Sequence, residues 1–210
     1  MYWKGNFIVL DVETGGLYPN KSPIMELAYI VLDADLNEVL RRDTFIKPYG
    51  NLNFYDERAL AIHGISIEQT SKGQSSKEVV KMMCEDFKKL KISRQAPWLV
   101  GHNLASFDFE FINTLFESEK TDIFSFVDPF LIDTLALMRI KLGNKGEIKD
   151  FKLPTCCEFF NVSVSDSHRA LNDVEANVGL FKVLINSFVS GNGGGLVSAP
   201  IKKFRHTFQF

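Results

Sequence analysis

The stretch Phe7-Ile8-Val9-Leu10-Asp11-Val12-Glu13-Thr14-Gly15-Gly16 sets the tightest limit on what this chain can fold into. Four consecutive apolar residues predict a strand buried on both faces, with structure packed above and below it. The strand then meets two carboxylates one residue apart. Residues i and i+2 of a strand point to the same side, so Asp11 and Glu13 project together from the end of a buried strand. Two such carboxylates repel each other, and each is costly to bury unpaired. A bound cation is the simplest remedy, and hard oxygen ligands suit Mg²⁺ or Mn²⁺. The alternative is a strand that simply runs out into solvent.

The rest of the chain predicts what surrounds that strand. Ile24–Leu32 and Val39–Ile46 read as strands joined by a turn at Asp33–Asn37, an antiparallel meander. A short helix follows over Asp56–Ala61. Ser75 or Ser76 caps a helix running to about Lys91, with Val79, Val80, Met83, Phe87 and Leu90 on its inner face. Strands are expected at Pro97–Gly101 and Phe126–Asp133. Helices are expected at Leu104–Glu119, Thr134–Leu142, Leu153–Phe160 and Ala170–Val189. A meander followed by strands alternating with helices gives an α/β fold with a mixed sheet. Residues 1–190 form one domain. Gly191–Gly195 is a Gly-rich linker, and Leu196–Phe210 is a short basic, aromatic tail.

Charge and cysteine usage narrow the function classes. A net charge of −2 argues against a protein that coats nucleic acid non-specifically. It leaves room for an enzyme that handles one strand end with a metal supplying local positive charge. Three cysteines, two of them adjacent at Cys156-Cys157, make neither a disulfide framework nor a zinc spacing. The pair reads as core rather than catalytic. With no signal-like apolar stretch at the start and no run long enough to span a membrane, the expected location is cytoplasmic.

Two more aspartates and a histidine complete a constellation. Asp108 lies on or beside the apolar stripe of its helix, among Leu104, Ile112 and Leu115. A charge there needs a partner, or else it is a helix-start aspartate favoured by the dipole. Asp173 leads into the last apolar helix, where an ordinary first-turn surface residue is the bland alternative. His168 lies five residues earlier, so the two can share a site only if His168 sits on the loop before the helix. A loop histidine titrates near neutrality, which suits a general base. His102-Asn103 reads as a turn with Asn103 as N-cap, and Asp133 as a cap of the helix that follows it.

Taken in order, these segments resemble the DEDDh 3′→5′ exonucleases, the family of bacterial proofreading subunits, RNase T and oligoribonuclease. The resemblance rests on Asp11-Val12-Glu13-Thr14-Gly15-Gly16 with Ile24-Met25-Glu26-Leu27-Ala28, on Leu99-Val100-Gly101-His102-Asn103 through Phe107-Asp108, and on His168-Arg169-Ala170-Leu171-Asn172-Asp173. Ile62-His63-Gly64-Ile65 and Ile132-Asp133-Thr134-Leu135 also sit where the family has similar stretches. The match covers roughly residues 7 to 185. One departure is Thr14-Gly15-Gly16, where the family often carries a second threonine.

The resemblance implies an RNase H-like fold, a mixed five-stranded sheet of order 3-2-1-4-5 with helices on both faces. It implies that Asp11, Glu13, Asp108 and Asp173 bind two divalent cations, Mg²⁺ or Mn²⁺, and that His168 is the base. The activity it implies is hydrolysis of single-stranded nucleic acid from the 3′ end to nucleoside 5′-monophosphates. DNA proofreading or end trimming is favoured over RNA processing of the RNase T or oligoribonuclease kind. Thr14, Leu17, His63 and Phe107 are candidates to touch the terminal nucleotide, with core packing the alternative for Leu17 and Phe107. The tail would dock on a DNA polymerase or clamp. An inactive nuclease-fold scaffold is the competing class, and the presence of all four carboxylates with the histidine weighs against it.

Overall fold

Strand β1 (Phe7–Thr14) is the centre of the sheet, flanked by β2 (Ile24–Leu32) on one side and β4 (Trp98–Gly101) on the other. Strand β3 (Glu38–Phe45) pairs beyond β2, and β5 (Ile132–Asp133) beyond β4. The order is β3-β2-β1-β4-β5, with the first three strands antiparallel and β1, β4 and β5 mutually parallel. This is the mixed sheet expected from the sequence. The computed structural model describes residues 5–92, 95–143, 146, 148–164 and 168–189. The linker and tail at 191–210 therefore lie outside the described residues.

Strand parity sorts the two faces. Ile8, Leu10 and Val12 enter the larger core with α3 (Ser76–Lys89) and α4 (Asp108–Ser118), through Met83, Phe87, Phe111 and Leu115. Phe7 and Val9 point the other way, into a second core with Ala170, Val174, Phe181 and Ile185 of α7 (Ala170–Val189). The Phe7 and Phe181 ring centroids are 5.1 Å apart, edge to face. Phe181 is late in α7 and Phe7 is early in β1, so the helix runs antiparallel to the strand. Its first turn thus reaches the C-terminal end of β1, where the same face presents Asp11 and Glu13.

The remaining helices are α1 (Glu57–His63), α2 (Ile67–Ser71), α5 (Thr134–Leu142) and α6 (Leu153–Phe159). The capping expected at Ser75 is present as a reciprocal box with Glu78. Asp133 caps α5 by accepting from the Leu135 amide at 2.9 Å. Cys156 and Cys157 are fully buried, and burial pushes their thiols up to about 11 and about 12. Both are core residues, as read from the sequence. Among the described residues no helix is long and apolar enough to cross a membrane.

Four local expectations change. Helix α2 was not anticipated, although Ser66 and Gln69 form a complete capping box. The strand expected over Phe126–Asp133 shrinks to Ile132–Asp133. Asp128 instead accepts from the Phe130 amide two residues on, and this turn breaks the extended run. The helix expected from Leu104 is interrupted at Phe107, after a 3₁₀ turn over Leu104–Ser106. Asn103 takes a left-handed backbone (φ 67°) and makes no side-chain cap bond, so it shapes the turn without capping it.

One mid-helix glycine is explained by packing. A Cβ on Gly179 of α7 would sit 2.5 Å from Val162 Cγ1, in the segment following α6. Alanine ordinarily stabilises a helix interior by about 1 kcal/mol over glycine. Here Gly179→Ala is expected to lower stability by about 1–2 kcal/mol, because Val162 must be displaced. Urea denaturation of the two proteins measures it.

Candidate active site

The site forms where parallel strands separate. β1 and β4 pair only as far as Val9 and Val100, after which β4 ends at Gly101 and turns sharply. A Cβ on Gly101 would lie 2.8 Å from the Leu104 Cβ, so the turn needs glycine there. The gap leaves the amide of Val12 without a strand partner on that side. Asp108, at the start of α4, fills the role: its Oδ1 accepts from Val12 N at 3.2 Å. The helix break at Phe107 is what places Asp108 at a helix start and in this gap. Asp108 is only 4% exposed, so the apolar-stripe placement read from the sequence is met by a specific partner.

On the α7 face, Asp11, Glu13 and Asp173 each offer an oxygen lying within 4.8 Å of the others. Among the described residues this is the one cluster of that kind. His168 precedes α7 on the loop, exposed, with a left-handed backbone (φ 75°). Its amide points to Asp173 Oδ2 at 3.4 Å. The loop position that lets His168 and Asp173 share a site is therefore observed.

The electrostatics are those of an uncompensated acidic cluster. Burial, then Asp108, Glu13 and Asp173, raise the Asp11 carboxyl well above its usual range. Burial, then Asp173, Glu26 and Asp108, push Glu13 from 4.5 up to about 8. Asp108 rises to about 7 through burial, against the hydrogen bond from Val12. Asp173 rises through burial, opposed by His168. Oxygen-only donors, close together and disfavoured as anions, fit a hard divalent cation.

A pH prediction follows from Glu13. Its folded-state value lies above its ordinary value, so its contribution to stability is present below about pH 4.5 and is lost as pH rises through about 8. In EDTA the melting temperature should fall across that window, and Glu13→Gln should flatten the fall. Adding Mn²⁺ should raise the melting temperature more at the alkaline end. Thermal melts of both proteins at stepped pH check this.

The candidates for the terminal nucleotide divide. Leu17 is 67% exposed, which removes core packing as its explanation. Phe107 is half-buried against the larger core, 5.1 Å from the Phe111 ring centroid. Thr14 is buried and donates to the Gly16 carbonyl at 2.7 Å. His63 lies beside the site at the end of α1, but both its nitrogens are engaged. Nε2 donates to the Thr14 carbonyl (3.2 Å) and Nδ1 accepts from Ile65 N (3.0 Å). These partners fix a neutral tautomer, consistent with burial lowering the His63 pKa. His63 thus steadies the end of β1 and has no free ring nitrogen.

Sequence reasoning gave no role to a pair that holds the site in shape. Glu26 of β2 lies opposite Glu13 and is 1% exposed. Arg169 Nε donates to both its oxygens at 3.0 Å, and the Ala170 amide donates to Oε2 at 3.0 Å. Glu26 therefore fixes the start of α7, and with it Asp173 and His168. The available signal was a glutamate inside the nine-residue apolar run Ile24–Leu32, every residue of which is buried.

Comparisons with known proteins agree with this geometry. The exonuclease family model matches residues 8–181. Ribonuclease T of Histophilus somni is 30% identical over 190 residues, covering 85% of this chain and 83% of that protein. The PolC-type DNA polymerase III of Oceanobacillus iheyensis is 29% identical, over 89% of this chain but only 12% of the polymerase. Among solved structures, E. coli exonuclease I in complex with a dT13 oligonucleotide superposes with a TM-score of 0.74 at 18% identity. That match covers 90% of this chain and 42% of exonuclease I, and shows the same RNase H-like fold. The chain belongs to the exonuclease family and is a 3′→5′ exonuclease of the DEDD class.

Proposed function

We propose that this exonuclease removes nucleotides from the 3′ end of single-stranded nucleic acid, with Asp11, Glu13, Asp108 and Asp173 holding two divalent cations, Mg²⁺ or Mn²⁺. The observation that carries the proposal is the trio of carboxylate oxygens within 4.8 Å at the end of the central strand, with Asp108 behind them on the Val12 amide. When bound, the cations supply charge stabilisation for the attacking and leaving oxygens and lower the pKa of the attacking water. The chain's own residues do the rest. His168, exposed beside Asp173, takes the proton from that water. Exposed Leu17 and half-buried Phe107 offer apolar surface to a terminal base of any identity.

Single-stranded DNA is the favoured substrate, supported by the likeness to a PolC-type polymerase III and to an exonuclease I solved with a DNA oligonucleotide. The same relative supports a polymerase or clamp as partner. RNA is the second reading, favoured by one observation: the relative matched along most of its own length is a ribonuclease T. The test uses matched 5′-labelled DNA and RNA strands with Mg²⁺ or Mn²⁺, with EDTA, and with Asp173→Ala as control. A metal-dependent ladder shortening from the 3′ end, faster on DNA, is expected. A faster RNA ladder would transfer the assignment to RNA processing, and no ladder on either would remove the proposal.

A further inference from the structure

A cleft of about 630 Å³ opens at the C-terminal ends of β4 and β5. These strands are parallel to β1, so the cleft lies on the same sheet edge as Asp11 and Glu13. The two are near each other. The Asn103 amide, on the cleft wall, donates to Asp133 Oδ1 at 3.0 Å, and the Asp133 charge is felt at Asp108.

The cleft has a built floor and a strap. His102, just after β4, binds the Phe151 carbonyl through Nε2 at 2.8 Å and Thr134 Oγ1 through Nδ1 at 3.0 Å. It thereby ties the segment before α6 across the start of α5. The Arg139 guanidinium lies 5.7 Å from the centroid of the Phe151 ring. Lys152 stands next to it on the strap, and Leu135 and Leu153 supply apolar wall. Among the described residues, neither Arg139 nor Lys152 enters an ion pair, whereas Asp150 is occupied with the Lys152 amide and Thr155.

The cleft thus offers two cations around an aromatic ring, Arg139 over Phe151 and Lys152 near the Asp150 carboxylate, beside a catalytic cluster that is strongly acidic. A polyanionic strand is repelled by the chain's net charge of −2 and must be held by local cations. Cations interleaved with an aromatic face are the chemistry that holds single strands without regard to sequence. Position gives the direction. Leu17, in the connection from β1 to β2, lies on the β2 side of the cluster, and the cleft lies on the β5 side. We propose that this cleft binds the phosphates and one base of the single strand on the 5′ side of the scissile bond, through Arg139, Lys152 and Phe151. The proposal rests on the exonuclease reading above and specifies where the uncut strand runs.

The test compares the full chain with Arg139→Ala/Lys152→Ala and with Lys77→Ala/Lys81→Ala, which removes the same charge from the exposed side of α3. Two substrates are used: a single-stranded hexanucleotide, and the p-nitrophenyl ester of thymidine 5′-monophosphate, which has no phosphate or base on the 5′ side of the scissile bond. The cleft variant should raise KM for the hexanucleotide about tenfold and reduce the salt dependence of its binding by a slope of about 1.4, two phosphate contacts' worth. Turnover of the mononucleotide ester and the behaviour of the α3 variant should match the unmodified chain. An unchanged hexanucleotide KM would overturn the proposal. So would an equal effect from the α3 variant, or a parallel loss on the mononucleotide ester. If the unmodified chain cleaves neither substrate with Mg²⁺ or Mn²⁺, the exonuclease reading itself falls, a result distinct from failure of the cleft.

Discussion

Asp11→Asn is expected to lower kcat/KM on a 5′-labelled oligonucleotide by about a thousandfold, because the proposed ligand set would carry several kcal/mol of metal-borne stabilisation. The same substitution should make the protein more stable in EDTA. Asp11 is buried against Asp108, Glu13 and Asp173, and its carboxyl is raised well above the usual range by desolvation first and by those neighbours next. Asparagine keeps the shape and removes the charge, and the surrounding carboxylates accept from its amide. A gain of about 1 kcal/mol would appear as a rise of about 2–4 °C in the melting temperature. With the cation present the order should reverse, since ligand binding stabilises only the chain that can hold it. Initial rates beside melts in EDTA and in Mn²⁺ give both readouts. A lower melting temperature in EDTA would mean that Asp11 supports the fold, and retained activity would remove it from the site.

How legible each part of the site was depends on how local its determinants are. Asp11 and Glu13 share a face because strand parity is local and has a period of two. The apolar run before them announced burial. His168 and Asp173 could share a site only with His168 on a loop, and the serine-rich sequence before the helix was the signal for one. Asp108 was less legible, because its position depends on where β1 and β4 part company, a property of two strands some ninety residues apart. The break at Phe107 that delivers Asp108 likewise follows a left-handed Asn103 and a 3₁₀ turn, which the helical apolar pattern does not announce. Phe126 to Leu131 misled for a related reason. Apolar content predicted a strand, but Asp128 takes up the Phe130 amide in a turn, and Val127 is buried without joining the sheet. Glu26 was visible as a charge in an apolar strand, yet its partner is 143 residues away. Long-range pairing of that kind leaves no periodic trace.

Arg169→Met should therefore lower stability by about 3 kcal/mol, or about 6–12 °C in melting temperature. An ordinary exposed ion pair would contribute less than about 1 kcal/mol, and the Arg169 side chain is 45% exposed. The partner decides the matter. Glu26 is 1% exposed, so removing the guanidinium leaves a buried carboxylate with the Ala170 amide as its remaining donor from α7. Asp43, itself raised by burial and by Glu26, stands beside it and adds repulsion. Glu26→Gln removes the charge that needs compensation, so the double variant Arg169→Met/Glu26→Gln should recover most of the loss. Urea denaturation of the four proteins closes the cycle. A double variant no better than Arg169→Met would show that the arginine acts by packing over Phe45, 5.4 Å from its ring centroid, and not by charge. The pair should also matter for the site. With the start of α7 released from β2, Asp173 and His168 lose their fixed position against Asp11 and Glu13. The Mn²⁺ concentration needed for half-maximal rate should then rise in Arg169→Met, while Lys at the same position, which keeps the charge but not the two-oxygen fork, should fall between.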